Sequence, residues 1–190
     1  MMITPLLGPK GKIPILIRDD DTNFFTKSNM IESIYSKAWD NQFKVSLSVI
    51  PYQMTINDVC VPPDARNCQK HFSIENNEEL CAFLKEKIKY NKIEIIQHGV
   101  THDLIDGRGE FSQQIDGKMA EGIERTIRNT ITNYYKSLNN THDNEKKIKT
   151  GFESYVNIGR RIIKESIDID PVLFVPPFDD CSMQNLNLLS

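Results

Sequence analysis

The sequence has no long apolar run, and nowhere do the roughly eighteen apolar residues of a transmembrane helix follow one another. The N-terminal residues 1–12 also lack the apolar core of a signal peptide, which favours a soluble, cytoplasmic protein. Positive charge is not in excess, because the net charge is −3 and the basic residues are scattered among acidic ones. Neither nucleic acid nor an anionic membrane is therefore an expected partner.

Cysteine is scarce and follows no metal-binding or disulfide pattern. The four cysteines are Cys60, Cys68, Cys81 and Cys181, and no two of them form a Cys-x-x-Cys pair. This spacing is typical of reduced thiols in a cytosolic protein. Pairing of Cys60 with Cys68 stays open only for an exported chain.

Strand-like apolar segments alternate with amphipathic, helix-like segments along the chain. Strands are expected at 13–17, 43–50, 93–96 and 171–175, and helices near 28–39, 73–88, 119–138 and 148–166. The irregular segment 51–74 is long enough to form the wall of a cleft, and the polar segment 139–147 is typical of a loop. The alternation predicts one α/β domain with mainly parallel strands across residues 1–190.

Three groups of chemically active residues follow three of these strands. The acidic run 19–21 follows the first strand, His98 and His102 follow the third, and residues 176–178 (Pro-Pro-Phe) follow the fourth. The carboxyl ends of parallel strands share one edge of a sheet, so these groups should converge. One carboxylate and two imidazoles would hold a zinc-like ion and leave positions open for water and substrate.

Each group also has a simpler interpretation. A histidine pair often makes ordinary hydrogen bonds, an acidic run often caps a helix or forms a turn, and two prolines make a stiff turn. Neither His71 nor His142 lies at the carboxyl end of an expected strand. The polar residues around His142 indicate a solvated loop residue. The order and spacing of the three groups favour the metal interpretation.

The three groups in this order resemble the polysaccharide deacetylase (NodB-homology) superfamily. The motifs are Asp-Asp after the first strand, His-x-x-x-His after a middle strand, and Pro-Pro-aromatic after a later one. A divergent branch with Asp-Asp-Asp, His-Gly-x-x-His and Phe-x-Pro-Pro motifs is more similar still, and its Glu-Phe pair is matched by Glu110-Phe111. The resemblance implies a partial, distorted (β/α) barrel.

The resemblance also implies roles for particular residues. Asp19 would be the catalytic base, and Asp20, His98 and His102 would bind a divalent metal, zinc first, with cobalt, nickel or iron as alternatives. The backbone amide of Phe178 would hold the oxyanion. Pro177, Glu110 and Arg18 would contact the substrate, an acetylated glycan or sugar, although Glu110 is equally well explained as a glutamate at the start of a helix.

The sequence departs from the family pattern in two places. Val175 stands where the main family has the arginine that orients the catalytic aspartate, and Arg18 is a candidate substitute. The later family motifs, including the histidine that serves as general acid, have no counterpart before Ser190. The resemblance therefore predicts a domain that lacks its C-terminal strands, with an open strand edge that favours a homodimer.

Two other functions compete with a metal-dependent removal of acetyl groups. A phosphatase of the haloacid dehalogenase type is suggested by the run 19–22 (Asp-Asp-Asp-Thr), but it leaves the histidines unexplained and its threonine stands one residue early. A glycan-binding or degenerate member of the same fold, without catalysis, would keep the cleft and need no general acid.

Overall fold

The computed structural model describes residues 15–105, 107–112 and 151–188. Its strands are β1 (Ile17–Thr22), β2 (Val45–Val49), β3 (Tyr52–Met54), β4 (His71–Ser73), β5 (Ile93–His98), β6 (Leu104–Ile105), β7 (Arg108–Gly109) and β8 (Phe174–Val175). Its α-helices are α1 (Ser28–Asp40), α2 (Glu78–Lys89), α3 (Gly151–Ile167) and α4 (Met183–Leu188). Short 3-10 turns cover Ile74–Asn76 and Pro177–Asp179.

Four parallel strands form the main sheet, in the order β1-β2-β5-β8. This arrangement confirms the α/β class and the parallel strands expected from the alternation of segments. Two small antiparallel pairs, β3 with β4 and β6 with β7, lie outside that sheet. The predicted loop 51–74 therefore contains β3 and β4, which the sequence pattern had not indicated.

The core lies around the two central strands. Every residue of β2 is buried, and five of the six residues of β5 are buried as well. Helices α1, α2 and α3 supply the remaining large apolar side chains, which include Trp39, Leu84, Tyr155 and Ile163. Because parallel strands are usually covered on both faces, near-continuous apolar runs are expected in them, and β2 and β5 have such runs.

The first strand lies further along the chain than the apolar run indicated. Ile15 and Leu16 precede β1 and are each 72% exposed, whereas the acidic run lies within the strand. The register between β1 and β2 shifts between Asp19 and Thr22, and Asp21 has a φ of 68°. This β-bulge changes the direction of the side chains that follow it.

Other expectations from the sequence have mixed outcomes. The four cysteines are free, so Cys60 and Cys68 are not paired. Among the described residues, no helix combines the length and the apolar character that crossing a bilayer requires. The helix predicted at 119–138 and the loop predicted at 139–147 lie outside the described residues, as does His142.

Candidate metal centre

Asp21, His98 and His102 meet at the carboxyl edge of the main sheet. The Oδ1 atom of Asp21 lies 3.2 Å from Nε2 of His98 and 3.1 Å from Nε2 of His102. Both histidines are buried, and the aspartate side chain is 37% exposed. The three residues together could hold a metal ion.

The strand ends explain why these residues meet. Asp21 lies next to the end of β1, and His98 is the last residue of β5, two strands across the sheet. After His98 the chain turns sharply through Gly99, with a φ of 58°, and His102 has a φ of 53°. Positive φ values are uncommon, and for residues other than glycine they are rare. The two positive φ values at Gly99 and His102 reverse the chain, so the imidazole of His102 comes back to that of His98.

The distances and donor atoms fit a divalent ion. Two oxygen or nitrogen ligands of a tetrahedral zinc lie about 3.3 Å apart, close to both separations observed here. The Nδ1 atom of His98 lies 3.1 Å from the carbonyl oxygen of Val175, which can only accept a hydrogen bond. In neutral His98, Nδ1 therefore carries the proton, and Nε2 carries a lone pair that faces Oδ1 of Asp21. A cation between these two atoms would stabilise the arrangement.

The electrostatics favour a charged carboxylate at this position. Burial alone would raise the pKa of Asp21, but the interactions with His102 and His98 outweigh it and hold that pKa well below its usual range. For His102, burial lowers the pKa, and the Asp21 carboxylate more than offsets this, so the pKa is raised. Asp21 therefore stays ionised at neutral pH, the state in which a carboxylate binds metals.

Glu110 holds the loop that carries the histidines. Its carboxylate accepts hydrogen bonds from the backbone amides of Val100 at 2.8 Å, Thr101 at 3.1 Å and His102 at 3.2 Å. It also accepts from the Thr101 hydroxyl at 2.7 Å and from the Tyr155 hydroxyl. Glu110 is fully buried, so these five donors of the protein itself occupy its two oxygens.

Both the backbone conformation at position 99 and the lack of space around it require glycine. A Cβ atom at this position would overlap Oε1 of Glu110 and the ring of Pro177. Pro177 is buried and lies over the turn that follows His98. Gly99 thus lets Glu110 and Pro177 approach the backbone closely.

Replacement of Gly99 by alanine should therefore destabilise the protein strongly. The left-handed backbone costs about 1–2 kcal/mol for a residue with a Cβ, and the overlap adds about 1–3 kcal/mol. Gly107 is a matched control, since its φ is 76° and a Cβ atom added there would have no neighbour within 4 Å. Urea unfolding should show a clearly larger loss for Gly99→Ala, and equal losses would contradict a tight fit around Gly99.

The expected ligand Asp20 is not the aspartate that meets the histidines. Its Oδ2 accepts a hydrogen bond from Nη2 of Arg18 at 2.8 Å, and Asp21 takes the place beside His98 and His102. The bulge in β1 is the reason, because it shifts the register between Asp19 and Thr22. The expected base, Asp19, accepts a hydrogen bond from the hydroxyl of Tyr35 on α1.

The expected substrate contacts and oxyanion donor are placed as follows. Glu110 and Pro177 are buried, so neither offers a surface to a substrate, and both instead support the histidine loop. Arg18 is half-exposed at the rim, and its Nη2 also lies 3.7 Å from Asp179. Phe178 is 40% exposed, and its ring centroid lies 4.4 Å from that of His102.

Several residues near the centre were not singled out from the sequence. Asn23 donates from Nδ2 to the carbonyl oxygens of Asp21 and Cys60, at 3.0 and 3.2 Å. Asp58, Cys60 and His102 form a second group that could hold a metal. An asparagine two residues after an aspartate is a common turn signal, whereas nothing in the local pattern connects the segment around Cys60 to a strand end.

No protein-family model matches this chain, and no curated protein or solved structure matches it either.

Proposed function

We propose that this protein is a metal-dependent hydrolase that removes acetyl groups from a carbohydrate, built as a partial barrel of the NodB type. The observation that supports this most is the convergence of Asp21, His98 and His102 at the carboxyl ends of two parallel strands. These residues come from the motifs that resemble the deacetylase superfamily. Zinc suits one carboxylate and two imidazoles, with cobalt, nickel or iron as alternatives.

A divalent ion held by Asp21, His98 and His102 would polarise an acetyl carbonyl and lower the pKa of a water molecule. The protein supplies the orientation of the ligands. Val175 fixes the ring of His98, and Glu110 fixes the backbone on both sides of Thr101. Such outer contacts commonly change metal affinity by about 10–100-fold when they are lost.

We propose Asp20 as the catalytic base. Its Oδ1 is buried and accepts no hydrogen bond from the described residues, while Oδ2 is held by Arg18. Arg18 thus takes the role of the family arginine that Val175 replaces, and Asp20 directly precedes the ligand Asp21. Asp19 is less suitable, because Tyr35 on α1 engages its carboxylate.

Replacement of Asp20 by asparagine should lower kcat by about 10²–10⁴-fold, the usual contribution of a general base. Asp19→Asn is the matched control, and it should lower kcat less because the asparagine amide oxygen can still accept from the Tyr35 hydroxyl. Both variants should keep their metal, as measured by elemental analysis. A larger loss for Asp19→Asn than for Asp20→Asn would return the role of base to Asp19.

The Pro-Pro-Phe segment is proposed to hold the developing oxyanion through the amide of Phe178. Phe178 and Asp179 have φ values of 59° and 51°, so two consecutive residues lie in the left-handed region. Strained backbone of this kind is often found at functional sites. The ring of Phe178 lies against His102 and would exclude water from one side of the reacting group.

The proposed function is tested by metal content and acetate release together. Wild-type protein, His98→Ala and the control His71→Gln would be loaded with zinc and assayed with acetylated oligosaccharides. His71 is a histidine outside the three-residue cluster, and its ring stacks on Tyr52. We expect metal and acetate release in the wild type and the control, and neither in His98→Ala.

The other outcomes separate the competing interpretations. A bound metal and affinity for the oligosaccharide without acetate release would favour the glycan-binding alternative. No metal in the wild type after loading with zinc would contradict the metal centre and, with it, the hydrolase.

A further inference from the structure

A second group of ligand atoms lies beside the centre already described. One ligand atom each from Asp58, Cys60 and His102 lie within 4.8 Å of one another. His102 therefore belongs to both groups. The second group differs from the first in chemistry, because it contains a thiol.

The fold holds this second group in place. The backbone amide of Cys60 donates to Oδ1 of Asp58 at 3.1 Å, and the amide of Val61 donates to the carbonyl of Asp58 at 3.2 Å. Asn23, which is 1% exposed, donates to the carbonyl oxygens of both Asp21 and Cys60. One buried amide thus fastens the Cys60 segment to the bulge that carries Asp21.

His102 has a ring nitrogen that the first group does not use. Its Nε2 faces Asp21, whereas its Nδ1 is buried and has no hydrogen-bond partner among the described residues. His102 is 3% exposed. A buried polar atom without a partner is unfavourable, so such an atom beside a cluster of ligand residues points to a bound ligand.

We propose that Asp58, Cys60 and His102 form a second cation subsite, which binds soft divalent ions such as zinc or cadmium through the Cys60 thiolate. On binding, the Sγ–H bond of Cys60 breaks, its proton passes to water, and an Sγ–metal bond forms without any change of oxidation state. Where Nε2 of His102 already holds an ion, the proton on Nδ1 of that ring passes to water as well. Thiolate and imidazole ligands favour such ions over magnesium or calcium. The subsite does not require that the protein be a hydrolase.

The thiol is kept protonated in the absence of a cation. Burial raises the pKa of Cys60, and the carboxylates of Asp58 and Asp21 raise it further. The Sγ atom lies 3.7 Å from Oε1 of Gln53, which a thiol can contact as a weak donor. A cation that binds Sγ must therefore displace this proton.

The test is a cadmium titration followed by the ultraviolet charge-transfer absorption of the thiolate–cadmium bond. The variants are Cys60→Ser, Asp58→Asn, Asp21→Asn and Cys68→Ser, the last being a control at an exposed cysteine. We expect the absorption in the wild type, in Asp21→Asn and in Cys68→Ser, and none in Cys60→Ser. In Asp58→Asn, cadmium should bind at least about 10-fold more weakly.

An absorption that is unchanged in Cys60→Ser, or absent from the wild type, would overturn the subsite. The outcome is independent of the first centre, which is measured by zinc content in His98→Ala. Zinc that depends on His98 without a Cys60 signal would support the first centre and reject the second. A Cys60 signal without zinc that depends on His98 would do the reverse.

Discussion

Replacement of Asp21 by asparagine should weaken zinc binding by more than about 100-fold, whereas the same change at Asp20 should leave it nearly unchanged. Loss of an outer contact to a ligand commonly costs about 10–100-fold in affinity, and loss of a ligand itself should cost more. The asparagine would keep the size of the side chain but remove the negative charge between the two histidines. Competition with a chelating dye would measure both affinities.

Three neighbouring aspartates make this comparison unusually well controlled. Asp19, Asp20 and Asp21 are consecutive, and each has a different partner: Tyr35, Arg18 and the histidine pair. A loss of zinc binding in Asp20→Asn, with binding retained in Asp21→Asn, would show that the register implied by the family resemblance is correct. It would also contradict the bulge in β1.

The sequence predicted the parts of the site that follow from local pattern and from sheet topology. Apolar runs indicated β2 and β5, and the rule that parallel strands end at one edge brought His98 toward the acidic run. The structure confirms the parallel sheet and brings His98 and His102 together with an aspartate. These features depend on hydrophobic burial and on chain direction, which are encoded locally.

Which of the three aspartates meets the two histidines could not be predicted in the same way. A strand with alternating side chains places neighbouring residues on opposite faces, and a bulge of one residue reverses that assignment. The bulge between Asp19 and Thr22 is part of the pairing with β2, and it also involves Asn23, whose side chain bonds the Asp21 carbonyl. Strand pairing between distant segments cannot be recognised from a run of three aspartates in the sequence.

The role of Glu110 was hidden for a related reason. Its position in the sequence suggests a residue at the start of a helix or at the rim of a cleft. The antiparallel pair of β6 and β7 instead returns the chain so that Glu110 lies beneath the loop it follows. Tyr155, on α3, then completes the set of donors from 45 residues away.

Replacement of Glu110 by alanine should destabilise the protein by at least about 3 kcal/mol, since each unsatisfied buried donor costs about 1–3 kcal/mol. The change would leave the amides of Val100, Thr101 and His102 without their acceptor, as well as two hydroxyls. Urea unfolding measures the loss. Zinc affinity should fall with it, because the same amides hold the loop between the two histidines.

Conservative variants distinguish a specific role of Glu110 in holding the loop between the two histidines from a general loss of stability. Glu110→Gln keeps the size of the side chain but turns one acceptor into a donor that faces other donors, so it should also be strongly destabilising. Tyr155→Phe removes only one donor and should cost about 1 kcal/mol, with zinc bound nearly as in the wild type. Glu86→Gln, at an exposed position on α2, controls for the loss of a negative charge. If Glu110→Gln were as stable as Glu86→Gln and bound zinc equally well, Glu110 would not be the support that positions His98 and His102.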